Sequence, residues 1–142
     1  MVNAMKINIE IIPHQDQRYE TVGDWWVEDG ALQIRASQMD KSEFSALIAL
    51  HELNEVLVEM LCQHGQLQLP EDNFVMSCDA YDVEYEKHRA AGDDVSEPGA
   101  APRAPYYQGH MIAMALEHLL ALLCNLDFNE YADAVAKLHQ DE

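Results

Sequence analysis

Apolar and polar positions alternate strictly near the start of the chain. Residues 5–12 read Met-Lys-Ile-Asn-Ile-Glu-Ile-Ile, a period of two that predicts a half-buried strand, and Pro13 ends it. Residues 21–28 and 31–36 flank Asp29-Gly30, a dipeptide that accepts the positive backbone angles of a two-residue hairpin turn. Three short antiparallel strands are expected within about residues 1–38. From about residue 40 to 139 the spacing of apolar residues becomes helical. Ser42 reads as an N-cap with Glu43 in the first turn, and the first helix runs to about His64 with Gly65 as its C-cap. A second helix starts near Pro70-Glu71-Asp72 and lasts to about Ala91, a third covers about 106–124, and a short fourth about 128–139. Residues 92–105 hold three prolines and two glycines and cannot be regular helix or strand. The expected fold is a single α+β domain: an N-terminal three-stranded antiparallel β-sheet followed by a bundle of three to four α-helices.

The first helix carries its chemistry on its apolar side. At about 100° per residue, Phe44, Ile48, His51, Glu55, Val58 and Cys62 share one stripe, flanked by Leu47, Leu50, Leu57 and Leu61. His51 and Glu55 interrupt it midway. A buried carboxylate without a partner is expensive, so something should compensate Glu55. Glu52 falls about a quarter-turn away, on a more polar side with Ser45 and Glu59. The second helix repeats the theme: Phe74, Cys78, Tyr81 and Tyr85 form its stripe, with Asp82 in or beside it and Glu86 one turn on. On the third, His110, Ala113, Met114, Glu117, Ala121 and Cys124 share a face, approached by Tyr106 and Tyr107, and His118 lies about a quarter-turn from His110.

If the three stripes meet in one core, their polar groups meet too. His51, Glu55, Asp82, Glu86 and His110 are the candidate metal ligands. Imidazole with carboxylate suits zinc, iron, manganese or nickel. Glu52 is the candidate catalytic residue, handling protons for a water made acidic by the ion, with Glu117 as an alternative. The competing reading is a buried His–Glu hydrogen-bond network that serves only the fold. His14, His64, His88 and His139 fall in loops or at helix ends, and the two tryptophans are expected to pack the sheet.

Composition narrows the function classes. At 142 residues with 49% hydrophobic residues, the chain can close one core. A net charge of −18 repels phosphate backbones and argues against nucleic-acid binding through a basic surface. Cys62, Cys78 and Cys124 show no Cys-x-x-Cys spacing and read as buried, reduced thiols. With no charged-then-apolar leader and no membrane-length apolar run, the expected location is the cytoplasm of the producing cell. A protein partner or a homodimer fits this composition; a membrane does not.

Several motifs together resemble an uncharacterised family of phage and prophage proteins. They are Thr21-Val22-Gly23-Asp24-Trp25, His51-Glu52-Leu53-x-Glu55, Asp82-x-x-x-Glu86, Glu97-Pro98-Gly99 and Ala104-Pro105-Tyr106-Tyr107-x-x-His110, spanning roughly residues 19–117. The resemblance implies a phage or prophage origin and a bacterial cytoplasm. Relatives often carry acids after the Glu-Pro-Gly, where this chain has Ala100 and Ala101. His51-Glu52-x-x-Glu55 is also similar to the zincin helix His-Glu-x-x-His, which would make His51 a ligand and Glu52 the base, with Glu55 in place of the second histidine. Glu52-x-x-Glu55 followed by Asp79, Asp82 and Glu86 is similar to the nucleotide pyrophosphohydrolases of the MazG kind, which implies magnesium. Three functional expectations stand: a metal-binding protein with metal-dependent hydrolase chemistry, a non-enzymatic acidic phage accessory protein that binds a host or virion protein, and a MazG-like pyrophosphohydrolase.

Overall fold

The computed structural model describes residues 4–92 and 98–138. Its elements, in chain order, are β1 (Ile7–Ile12), β2 (Gly23–Glu28), β3 (Ala31–Ser37), α1 (Ser42–His64), α2 (Asp72–Ala90), α3 (Tyr107–Leu123) and α4 (Phe128–Leu138), with 3-10 turns at His14–Asp16 and Pro98–Ala100. The α+β fold is as expected. His139, Glu97 and most of the acidic part of the 92–105 loop lie outside the described residues.

One detail of the sheet differs. The strand order is β1-β3-β2, with β3 antiparallel to β2 and parallel to β1, so the sheet is mixed. Asp29 and Gly30, at φ 53° and 72°, make the expected tight hairpin between β2 and β3. The link from β1 to β2, about ten residues with a 3-10 turn, is too long for a hairpin. It carries the chain across the sheet, and the centre is left for β3. Register places Ile7, Ile9 and Ile11 beside Leu32, Ile34 and Ala36, on the face that α1 covers. The β3 residues are fully buried there, but α1 lies over β3 and β2, and the three isoleucines at the edge remain exposed.

Adjacent tryptophans on a strand point to opposite faces. Trp25 faces the helices and stacks on Phe74 at 6.2 Å. Trp26 covers the other face, with the Arg18 and Arg35 guanidiniums 4.2 Å and 4.9 Å from its ring. Arg18 also forms a two-pronged ion pair with buried Asp24, at 2.7 Å and 3.1 Å.

At the head of α1, Lys41 flanks the helix and Ser42 is its first residue, one position from the expected cap. Ser45 is the serine at work, accepting the Met39 amide at 2.8 Å. Gly65, at φ 64°, closes the helix as expected. The buried row runs Phe44, Ile48, His51, Glu55, Glu59 with Val56 and Met60 beside it, so Cys62 and Leu61 turn outward. Cys124 is exposed as well, leaving Cys78 as the buried thiol, where a fully buried set was expected. The core divides into two apolar clusters, one around Trp25, Val56, Cys78 and Tyr106, the other around Phe44, Ile48, Ala121 and Tyr131.

Candidate metal centre

Between those clusters α1 and α3 bring three polar side chains together. His51, Glu55 and His110 are all buried and form a cluster able to hold a metal ion. His51 Nε2 lies 3.2 Å from His110 Nδ1, His110 Nδ1 lies 3.0 Å from Glu55 Oε2, and His51 Nε2 lies 3.4 Å from the same oxygen. Ligand atoms bound at ordinary distances to one ion sit about 2.8–3.6 Å apart in octahedral or tetrahedral geometry. Each hydrogen joins one donor to one acceptor along a line, so proton-bridged networks favour chains. A closed triangle of three donor atoms is what a single central cation satisfies. Two imidazoles and one carboxylate on one face also leave further coordination positions open.

The groups behind the triangle fix its orientation. His51 Nδ1 lies 2.6 Å from Glu117 Oε2. An ionised carboxylate only accepts, so Nδ1 carries the hydrogen and Nε2 is directed to the cluster, the pattern found behind metal-bound histidines. Trp25 Nε1 donates to Glu55 Oε1 at 2.9 Å, leaving Oε2 for the cluster. Burial opposes a charged His51, but its hydrogen bonds to the Glu117 and Glu55 carboxylates outweigh it and push its pKa up to about 11. Burial likewise opposes a charged Glu55, and His110 and His51 hold it below its ordinary value. A proton and an ion therefore compete for His51 Nε2.

Close packing demands glycine at position 109 and crowds two other glycines. A Cβ on Gly109 would collide with the backbone carbonyl of Glu55, and one on Gly99 would crowd the His110 ring. A Cβ on Gly23 would meet the Glu52 side chain, whose carboxylate end can move aside. Glu59, expected on a polar side, is buried and accepts the Gly109 amide at 2.9 Å, locking α1 to α3.

The other sequence candidates surround the triangle. Glu52 lines a cavity of about 580 Å³ that opens on all three cluster residues. Burial, then the charge of Glu55, drives its pKa well up. Asp82 lines the same cavity and accepts the Tyr106 hydroxyl, while Glu86 is held by Arg89 at 2.7 Å. Neither belongs to the three-residue cluster. His118 stacks on Phe128 at 3.7 Å and is exposed, and Tyr107 packs against the Trp25 cluster. Sequence reasoning missed Trp25 as a partner of Glu55, although the strand period requires one of two adjacent tryptophans to face the helices. It missed Glu59 too, which continues the i, i+4 row of His51 and Glu55. Nothing local marks Gly109.

Asp82 makes the fold sensitive to pH. Burial pushes it up to about 7, and Asp24, Glu55 and Asp79 add repulsion that the Tyr106 hydrogen bond only partly offsets. Above the ordinary value of 3.8 and up to about 7, the folded chain keeps a proton that the unfolded chain has lost. Stability from this group is complete below that window and is lost as pH rises through it. Asp82→Asn is therefore expected to raise the Tm at pH 8 and to leave it nearly unchanged at pH 4. Thermal melts of metal-free protein at both values measure this, and a loss of stability at pH 8 contradicts it.

Together, fold and site define an α+β protein with a buried His-Glu-His cluster beneath a cavity. No protein-family model, curated protein or solved structure matches the chain. Among the described residues no helix is long and apolar enough to cross a membrane.

Proposed function

We propose that the chain is a divalent transition-metal protein with His51, Glu55 and His110 as ligands, acting as a metal-dependent hydrolase. The observation that carries this reading is the triangle of His51 Nε2, His110 Nδ1 and Glu55 Oε2, with edges of 3.0–3.4 Å. Zinc, iron, manganese and nickel all suit this donor set. A bound ion of this kind lowers the pKa of a coordinated water to about 7 and so provides a nucleophile at neutral pH. Glu117 holds the His51 ring in place, and Trp25 holds Glu55. Glu52, on the cavity wall beside the cluster with its proton affinity raised, would be the proton acceptor for a water activated there. The motif resemblance supports a phage or prophage origin, with the bacterial cytoplasm as the place of action.

Elemental analysis tests the core of the proposal. Protein purified without a histidine tag is expected to contain close to one transition-metal ion per chain. Well-folded protein that neither carries such an ion nor takes one up on addition of zinc, iron, manganese or nickel would falsify the reading.

A further inference from the structure

His110 and Glu117 lie on the side of α3 that faces the cluster, and the opposite side of the helix faces outward. At about 100° per residue, Met111, Ile112, Ala115, Leu119, Leu122 and Leu123 fall within an arc of about 120° centred opposite Glu117. All six are exposed, and the five large ones are between 42% and 75% accessible. In a chain with 26 acids and 8 bases, α3 carries one carboxylate, Glu117, and no lysine or arginine. Contiguous apolar patches of this kind mark interaction sites.

Two features identify the occupant. Ile112, Ala115, Leu119 and Leu122 follow the alternating three- and four-residue spacing of a two-helix seam. The exposed set also reads the same in reverse about position 117: 111 exchanges with 123, 112 with 122, and 115 with 119. Two such helices laid antiparallel, with a two-fold axis at the level of residue 117, set Ile112 against Leu122 of the second copy. Ala115 then meets Leu119, the small residue making room for the large one, and Met111 meets Leu123. A face that is its own complement under a two-fold is what a symmetric dimer requires. The five large side chains expose roughly 500 Å² per copy, so pairing removes about 1,000 Å², where specific interfaces begin. Charge agrees: two chains of −18 each can meet only where neither presents its acids. Residues 93–97 and 139–142, Asp-Asp-Val-Ser-Glu and His-Gln-Asp-Glu, are too polar to be the cover.

We infer that the partner of this face is a second copy of the chain: the protein is a two-fold dimer in which α3 packs antiparallel on α3, with a His51-Glu55-His110 cluster behind each helix. The inference is independent of what that cluster holds.

Sedimentation of the full chain over about 1 to 200 μM, with reductant present because Cys62 and Cys124 are exposed, tests it. A monomer–dimer equilibrium in the micromolar range is expected, tightening as salt screens the repulsion between the copies. Leu122→Glu and Ile112→Lys, both at exposed positions, are each expected to weaken the dimer about tenfold or more while circular dichroism stays unchanged. Met76→Glu, at an exposed apolar position on α2, is expected to leave it intact. The antiparallel register adds a sharper result: an equimolar mixture of the Leu122→Glu and Ile112→Lys chains sets lysine against glutamate and is expected to recover dimer that neither variant forms alone. A chain that stays monomeric throughout the range overturns the inference, including one that instead co-sediments with lipid vesicles. So does a dimer that weakens with salt, one that survives both α3 substitutions, or a mixture that shows no recovery.

Discussion

Glu55→Ala is expected to empty the metal centre and to lower the Tm by about 10 °C or more in one step. Glu55 is 4% exposed, and each of its oxygens is committed. Oε1 accepts the Trp25 indole hydrogen at 2.9 Å, and Oε2 lies 3.0 Å from His110 Nδ1. Alanine removes one carboxylate of the proposed ligand set, orphans the indole N–H and leaves two buried imidazoles without their shared anion. Breaking a buried charged pair costs about 3–5 kcal/mol. Glu55→Gln separates the two effects, because an amide still fills the site and can accept from Trp25. It should recover much of the stability and little of the metal. Glu117→Gln is expected to do less: losing the group that orients a histidine ligand weakens metal binding about 10–100-fold. Metal content after dialysis against a weak chelator, with melts on the same samples, checks the series. A Glu55→Ala protein that binds metal as the parent does would remove Glu55 from the site.

Gly109→Ala is expected to destabilise the chain by about 3 kcal/mol or more, against its local preference. In an exposed helix, alanine is about 1 kcal/mol better than glycine. Gly109 is buried in α3, and its missing side chain lets α3 touch the Glu55 carbonyl on α1. The Glu59 carboxylate on the same helix accepts the Gly109 amide at 2.9 Å. A methyl group forces the helices apart, breaks that bond and moves His110, the next residue, away from His51 and Glu55. Chemical denaturation decides the matter by sign: a gain in stability would mean that helix propensity dominates and that the close approach is not a constraint.

Much of this architecture is legible in order along the chain. The Asp29-Gly30 hairpin, the glycine stop at Gly65 and the extents of all four helices follow from local backbone preferences and the period of apolar residues. So does the odd placement of His51 and Glu55 on an apolar face, because the helical period alone puts them beside Phe44 and Ile48. Spacing alone puts Glu59 in the row of His51 and Glu55, but that burial extends to Glu59 and leaves Cys62 exposed is not set locally. It depends on where α3 crosses α1, and that crossing depends on Gly109.

The kind of elements, the helix that bears the polar pair, and the donor chemistry available to an ion are readable along the chain. Those are local properties, set by neighbours within a turn or two. Long-range packing sets β1 parallel to β3, brings His110 to His51 and Glu55, and leaves Asp82 and Glu86 outside that cluster. It also bonds Trp25 to Glu55 and Glu117 to His51. Those outcomes join residues separated by some 25 to 66 positions. Contacts at that range follow from how whole faces pack, and no local pattern encodes them.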